Sequence, residues 1–199
     1  LNIAENKLPE ARETLESIQD RNNIYVKVVE AELLTHEGKE EEAKSALRNI
    51  KMEDLKGDFS LMVTITFLFS HLGMPEEAIA WINTNIYNPS EDEALKAALA
   101  EGYSILGMND EASRLYNELL DVDPYNTEYW IGLANCLFSQ GEYNKVIEAA
   151  DFALISDDNN NEAHSLKANA FLQLNNYEKA REEYKRSDLS PVYRHLFIG

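Results

Sequence analysis

The sequence predicts an all-α fold, a solenoid of stacked antiparallel helix pairs, and three observations predict it. Apolar side chains recur at spacings of three and four on either side of short polar breaks, the period of helices that bury one face. The whole pattern returns every 34 residues. Small residues come back at two fixed places in each period and glycine at a third, as close helix approaches and tight turns require.

The period is sharpest over 127–160, where Trp130, Leu133, Ala134 and Leu137 share one helical face, Gly141 interrupts, and Val146, Ala150 and Ala153 form a second face. One period later stand Lys167, Ala168, Phe171, Asn175, Ala180, Tyr184 and Ser187. One period earlier stand Leu99, Ala100, Tyr103, Gly107, Ala112, Tyr116 and Leu119, with Pro124 closing the unit. Before those come Ile65, Thr66, Phe69, Gly73, Ala78, Ile82 and Asn85, with Pro89 near the end.

Further upstream the register slips, for Ala43 precedes Ala78 by 35 residues and Ala11 precedes Ala43 by 32. Leu34, Gly38, Ala43, Leu47 and Ile50 keep their relative places, so one connection there is altered. The segment 9–18 reads as the second helix of a unit whose first helix is missing. At the other end Pro191 opens a helix that the chain does not finish. The expected organisation is a single solenoid over 1–199. Its parts are a lone second helix in 1–23, repeats at 24–58, 59–92, 93–126, 127–160 and 161–194, and a further helix at 191–199.

Each recurrent residue type has a physical reason. Where two helices approach most closely only a small side chain fits, which accounts for Ala43, Ala78, Ala112 and Ala180 at one position and Ala100, Ala134 and Ala168 at another. Phe69, Tyr103, Tyr116 and Tyr184 then fill the space between units, each contributing roughly 1.5–3 kcal/mol when fully buried. Trp130 is expected as a buried anchor between helices. Gly38, Gly73, Gly107 and Gly141 fit the end of a first helix, where positive φ is needed, and Asn175 takes that place in the last unit. Second helices are expected to start at Pro9-Glu10, at Pro75-Glu76-Glu77 and at Asn109-Asp110-Glu111, the last with a capping asparagine.

Composition narrows the function. Thirty-six acidic against 18 basic residues leave a formal charge of −18, divided as −9 in residues 1–100 and −9 in 101–199. Such a field repels nucleic-acid backbones and anionic headgroups, so neither nucleic acid nor a membrane surface is an expected partner. Cys136 is the sole cysteine and has no internal disulfide partner, a composition that favours the cytoplasm. The chain starts at Leu1 without an initiator Met, so it reads as a fragment or a processed form, and export remains open on that reading. No run approaches the length of a membrane span.

This arrangement resembles the tetratricopeptide repeat family, whose pattern of Trp-x2-Leu-Gly-x2-Tyr, then Ala-x3-Phe, then Pro is matched by Trp130-x2-Leu133-Ala134-x2-Leu137 and Val146-x3-Ala150. The resemblance implies that the stack winds as a right-handed α-α superhelix with a concave groove, lined by the first helices, that receives an extended or helical peptide. Carried onto this chain, the lining comprises Tyr25, Val28, Glu32, Val63, Phe67, His71, Ala97, Glu101, Ile131, Asn135, Phe138, Asn169, Leu172 and Gln173. One subgroup of the family clamps carboxylate-terminated chaperone tails with Lys, Arg and Asn. Asn135 and Asn169 match its Asn position, but Ile131 and Ser165 stand where Lys is required, so chaperone-tail recognition is not expected. The two asparagines either hydrogen-bond a peptide backbone or tie neighbouring helices together.

Catalytic and metal motifs are missing. The run Asp157-Asp158-Asn159-Asn160-Asn161-Glu162 has Glu162 where a calcium loop needs Gly and Ala168 where it needs Glu, and it falls at a turn between units. His36 and His71 sit near the ends of successive first helices without a clear third ligand. His164 stands in the Trp130 position and reads as a packing residue, and His195 lies in the incomplete terminal helix. No cofactor, no metal and no enzyme activity are expected. The sequence points to a scaffold binding a peptide or helical segment of another protein, apolar or mildly basic. The alternative is a structural section of a longer solenoid that self-associates or spaces an attached domain.

Overall fold

The computed structural model describes residues 7–55, 57–83 and 92–187. Asn85, Pro89, Pro191, His195 and the helix expected over 191–199 lie outside the described residues. Within the described residues the chain is all-helical, with no strand, and it divides into two compact units, Leu1–Leu106 and Gly107–Gly199.

The first unit holds α1 (Leu8–Ser17), α2 (Ile24–His36), α3 (Glu40–Arg48), α4 (Ser60–His71), α5 (Pro75–Asn83) and α6 (Glu93–Ile105). A 3-10 helix at Met52–Leu55 and Gly57, at φ 88°, separate α3 from α4. That irregular link accommodates the slip in register upstream of Ala78. The second unit holds α7 (Asn109–Val122), α8 (Thr127–Ser139), α9 (Tyr143–Ser156), α10 (Asn161–Gln173) and α11 (Tyr177–Arg186). In each unit a first helix packs on its own second helix and on the next first helix: α2 on α3 and α4, α4 on α5 and α6, α8 on α9 and α10. Consecutive first helices therefore line up as neighbours within each unit.

The turn inside each pair closes in the same way. Gly38, Gly73 and Gly141 take φ of 72°, 69° and 77°, and Asn175 takes 59°. The residue after each donates its N–H back into the first helix: Lys39 to Leu34 O, Met74 to Phe69 O, Glu142 to Leu137 O and Asn176 to Phe171 O, at 2.9, 2.9, 2.9 and 2.8 Å. This six-to-one bond is the signature of a helix ended by a left-handed residue.

One expectation about helix starts is corrected. Asn109 does not cap α7, because the tight turn places Met108 at the capping position, where no side chain bonds the helix. Side-chain caps begin four of the first helices, α2, α6, α8 and α10, and the second helix α11, where Asn176 accepts from the Lys179 N–H. Asn23, Asp92, Asn126 and Asn160 accept from the N–H groups of Tyr25, Leu95, Tyr129 and Ala163. Asp157 in turn accepts from Asn160 Nδ2 at 3.1 Å, as Asp123 does from Asn126 at 3.2 Å. The oxygen-rich run 157–162 is thus a helix start.

All seven alanines expected at the closest approaches are 0 % exposed. Phe69 and Tyr116 are buried, and Tyr103 and Tyr184 half-buried. Gly132, in the middle of α8, lies under Tyr116 of α7: a Cβ there would stand 2.2 Å from Tyr116 Cζ. Trp130 is only half-buried, which corrects the buried anchor. Its indole donates to Pro124 O at 2.9 Å and its ring stacks on Phe152, centroids 4.5 Å apart.

Candidate protein-interaction surface

On the first helices of the first unit, two large aromatics are left outside the packing. Tyr25 at the start of α2 is 51 % exposed and Phe67 in α4 is 55 % exposed. Both fall at groove positions read from the sequence. Tyr25 donates its hydroxyl to the Asp58 carboxylate, and that bond holds the phenol above its usual pKa. Asp58 also accepts from Ser60 Oγ at 2.5 Å, which with the Tyr25 bond holds its carboxyl below the usual range. Phe67 stacks on His71 one turn later, centroids 5.9 Å apart and planes 15° from parallel. Val63, a turn earlier, is half-buried, and Glu101 of α6 is exposed.

Tyr25 stands where two clefts meet. One, of about 360 Å³, is apolar and lined by Leu15, Ile18, Val26 and Val29 of α1, α2 and their connection. The other, of about 500 Å³, is lined by Asp20, Asn22, Asp54 and Asp58. Tyr25 thus has hydrocarbon on one side and carboxylates on the other.

In the second unit the predicted lining divides. Ile131 is buried among Ala134, Val146 and Leu166 and serves the core. Phe138 is half-buried, its ring set edge-on against Tyr143 at 5.4 Å. Leu172 is half-buried and Gln173 exposed. Asn135 Nδ2 donates to Glu162 Oε1 at 3.2 Å across the α8–α10 contact, and Asn169 Oδ1 accepts from the Tyr184 hydroxyl. Both asparagines therefore link neighbouring helices, one of the two roles the sequence left open.

Sequence reasoning missed a buried ionic cluster joining α9, α10 and α11. Glu183 accepts from His164 Nδ1 at 2.7 Å and from Lys167 Nζ at 3.0 Å, and Lys167 reaches Asp151 at 2.6 Å. Burial pushes the Glu183 carboxyl up, but the bonds from His164 and Lys167 outweigh it and hold the carboxyl below its usual range. The same burial pushes Lys167 down, and Asp151 and Glu183 more than offset it. His164 is buried, as a packing residue is, and its other nitrogen contacts Asp158 O at 3.1 Å. The four residues come from separate parts of the period, and only the substitution of His for Trp at that place signals the cluster in the sequence. Among the described residues no group of three or more His, Cys, Asp or Glu side chains has the geometry to hold a metal, and no helix is long and apolar enough to cross a membrane.

Comparison with known proteins bears on the fold. A family model described as tetratricopeptide repeat matches residues 105–170, and a second tetratricopeptide repeat model matches 162–188. No curated protein matches the chain by sequence. Among solved structures, a tetratricopeptide repeat protein from Parabacteroides merdae is 17 % identical with a TM-score of 0.69, over 98 % of this chain and 76 % of that one. TTC0263, a thermophilic TPR protein in Thermus thermophilus, is 16 % identical with a TM-score of 0.58, over 86 % of this chain and 95 % of that one. MamA of MSR-1 is 17 % identical with a TM-score of 0.55, over 90 % and 94 %. Identities this low speak to the fold alone, an all-α stack of helix pairs.

Proposed function

We propose that this chain, whose residues 105–170 and 162–188 match tetratricopeptide repeat models, is a protein-interaction scaffold of that family whose first helices hold a peptide or helical segment of a partner, and that it has no catalytic activity of its own. The proposed contact residues are Val63, Phe67, His71 and Glu101 in the first unit, and Asn135, Phe138, Asn169, Leu172 and Gln173 in the second, with Ile131 supporting them from the core. The reading takes 24–58, 59–92, 93–126, 127–160 and 161–194 as successive repeats.

The observation that carries this reading is the pair of exposed aromatics, Tyr25 and Phe67, on helices whose other large apolar residues are mostly inside. Exposed aromatics on a rigid scaffold are the residue type from which binding hot spots are made. The partner is apolar and mildly basic. The carboxylates beside Tyr25 and the charge of −18 favour cations at the edges of an apolar contact.

Selection of peptides from a random displayed library tests this. The expected binders carry an apolar or aromatic residue flanked by Lys or Arg, and they lose at least tenfold in affinity for a Phe67→Ala/His71→Ala variant. Selection of acidic peptides, or equal binding to both proteins, would refute the reading.

A further inference from the structure

Outside the first-helix positions, the second unit carries another set of apolar side chains turned to water. Val122 is 74 % exposed, Tyr125 71 %, Phe152 48 % and Ile155 65 %. Val122 ends α7, Tyr125 lies in the turn to α8, and Phe152 and Ile155 are three residues apart on α9. Contacts stitch these parts together. Ser156 Oγ donates to Tyr125 O at 2.9 Å, the Trp130 indole donates to Pro124 O, and Trp130 stacks on Phe152. The turn and the end of α9 are thus tied together, so the backbone that presents these side chains is set in place before anything binds.

The repeat itself tells whether the stack needs these residues. Positions 34 apart occupy equivalent places, and the equivalents here are polar with one exception. Ser156 corresponds to Val122, Asn159 to Tyr125, Glu118 and Arg186 to Phe152, and Asp121 and Leu189 to Ile155. At each of the four places a neighbouring repeat is built with a polar residue, so an apolar one is not a requirement of the fold. Exposed apolar groups that the fold does not demand mark a contact.

The surroundings specify the partner. Asp121 and Asp123 flank Val122, and Asp157 and Asp158 follow Ile155 at the end of α9, whereas the one cation between 118 and 160, Lys145, stands near the other end of α9, paired with Glu142 at 3.4 Å; Asp151, beside Phe152, is held by Lys167 at 2.6 Å. A second copy of a chain with charge −18 would bring like charge to this rim, and anionic lipid would do the same. We infer that Val122, Tyr125, Phe152 and Ile155 form a second docking surface, separate from the first-helix positions, for a protein segment that presents apolar side chains flanked by Lys or Arg, such as a basic amphipathic helix.

The test uses the full chain and a variant carrying polar residues of the neighbouring repeats, Val122→Ser/Tyr125→Asn/Phe152→Glu/Ile155→Asp. Circular dichroism first verifies that the variant is folded; should it not be, Ile155→Asp alone is used. The probe is a synthetic Leu/Lys amphipathic peptide, with a Ser/Lys version lacking the apolar face and a Leu/Glu version reversing the charge, titrated while backbone amide NMR shifts are followed. The expected result is a set of shifts at Tyr125, Phe152 and Ile155, with affinity at least tenfold weaker for the variant and for each control peptide. The Phe67→Ala/His71→Ala variant keeps these shifts, which separates the outcome from that of the first-helix reading. Equal affinity of wild type and variant, equal binding of the Ser/Lys peptide, or shifts confined to other helices overturns the inference. So does a dimer of the wild type, seen by sedimentation and lost in the variant, since a second copy would then cover the patch.

Discussion

Substituting alanine at two helical glycines should move stability in opposite directions. In the middle of a helix, Gly→Ala ordinarily stabilises by roughly 0.5–1 kcal/mol, because glycine surrenders more backbone freedom on folding. Gly102 of α6 has room for the methyl group: its nearest contacts would be Ile82 Cδ1 and Thr66 Oγ1, both at 3.5 Å. Gly132 of α8 has none. The added Cβ would lie 2.2, 2.5 and 2.6 Å from Cζ, Cε1 and Oη of Tyr116, a ring that is 6 % exposed and held between α7 and α8. Forcing a buried ring off its position costs about 1–3 kcal/mol, which outweighs the propensity gain and leaves a net loss of about 1–2 kcal/mol. Urea unfolding followed by far-ultraviolet circular dichroism reads both signs: Gly102→Ala should raise the midpoint and Gly132→Ala lower it. Truncating the ring supplies the internal control. In a double-mutant cycle with Tyr116→Ala, the cost of Gly132→Ala should fall by at least about 1 kcal/mol. A Gly132→Ala protein as stable as wild type, or costs that simply add, would refute the packing argument.

Four further outcomes follow from named contacts. Gly141→Ala meets nothing within 4 Å but must hold φ near 77°, so it should cost about 1–2 kcal/mol by chemical unfolding, while Asn175→Gly should be neutral or slightly stabilising. Trp130→Ala should cost about 2 kcal/mol, short of the roughly 3–5 kcal/mol of a fully buried ring, and its loss should also loosen the 124–130 turn, as seen by faster amide exchange. The hydrogen bonds from Arg12 and then Lys39 hold the Glu37 carboxyl at about 2. Because that folded-state value lies below the ordinary 4.5, the pair stabilises fully above about pH 4.5 and the contribution fades as pH falls toward 2. Discounted for the water that still reaches the pair, it is worth about 1 kcal/mol, so Glu37→Gln should flatten the acid limb of a stability-versus-pH curve by that amount. Glu183→Ala leaves His164 Nδ1 without its partner and Lys167 with Asp151 alone in a nearly buried place, and should cost about 2–3 kcal/mol, whereas an exposed control such as Glu178→Ala should cost under about 0.5 kcal/mol.

Much of the fold was legible in the sequence because a repeat samples each structural position several times. One alanine says little, but seven at two register positions identified the closest helix approaches, and each is fully buried. Four glycines and one asparagine identified the turns by their need for positive φ, and all five have it. What stayed hidden depends on contacts between side chains that no period links. The Glu183 cluster draws on three helices, and Asn109 looked like a cap until the tight turn put Met108 in that place. The groove positions were legible as places, but not their partners. Ile131 sits in the core, and Asn135 and Asn169 spend their amide groups on Glu162 and Tyr184.

Departures from the repeat are of two physical kinds, and the difference carries functional information. At the interface between a second helix and the next first helix, Tyr116 is large and Gly132 has no side chain; one period on, the corresponding residues are Ala150 and Leu166. Volume has moved from one side of the interface to the other, so the departure is compensated inside the stack and the packing density of the core can be kept. The apolar residues at Val122, Tyr125, Phe152 and Ile155 are departures of the other kind. Within the described part of their own unit Trp130 stacks on one face of Phe152, and each of the four remains about half or more exposed. A compensated departure is explained by its internal partner, and reversing it alone must cost stability, as Gly132→Ala should. An uncompensated one has its partner outside the chain, so replacing Val122, Tyr125 or Ile155 with the polar residue of a neighbouring repeat should leave stability unchanged and remove binding. Measuring both quantities on both kinds of substitution therefore separates residues that hold this protein together from those that hold something else to it.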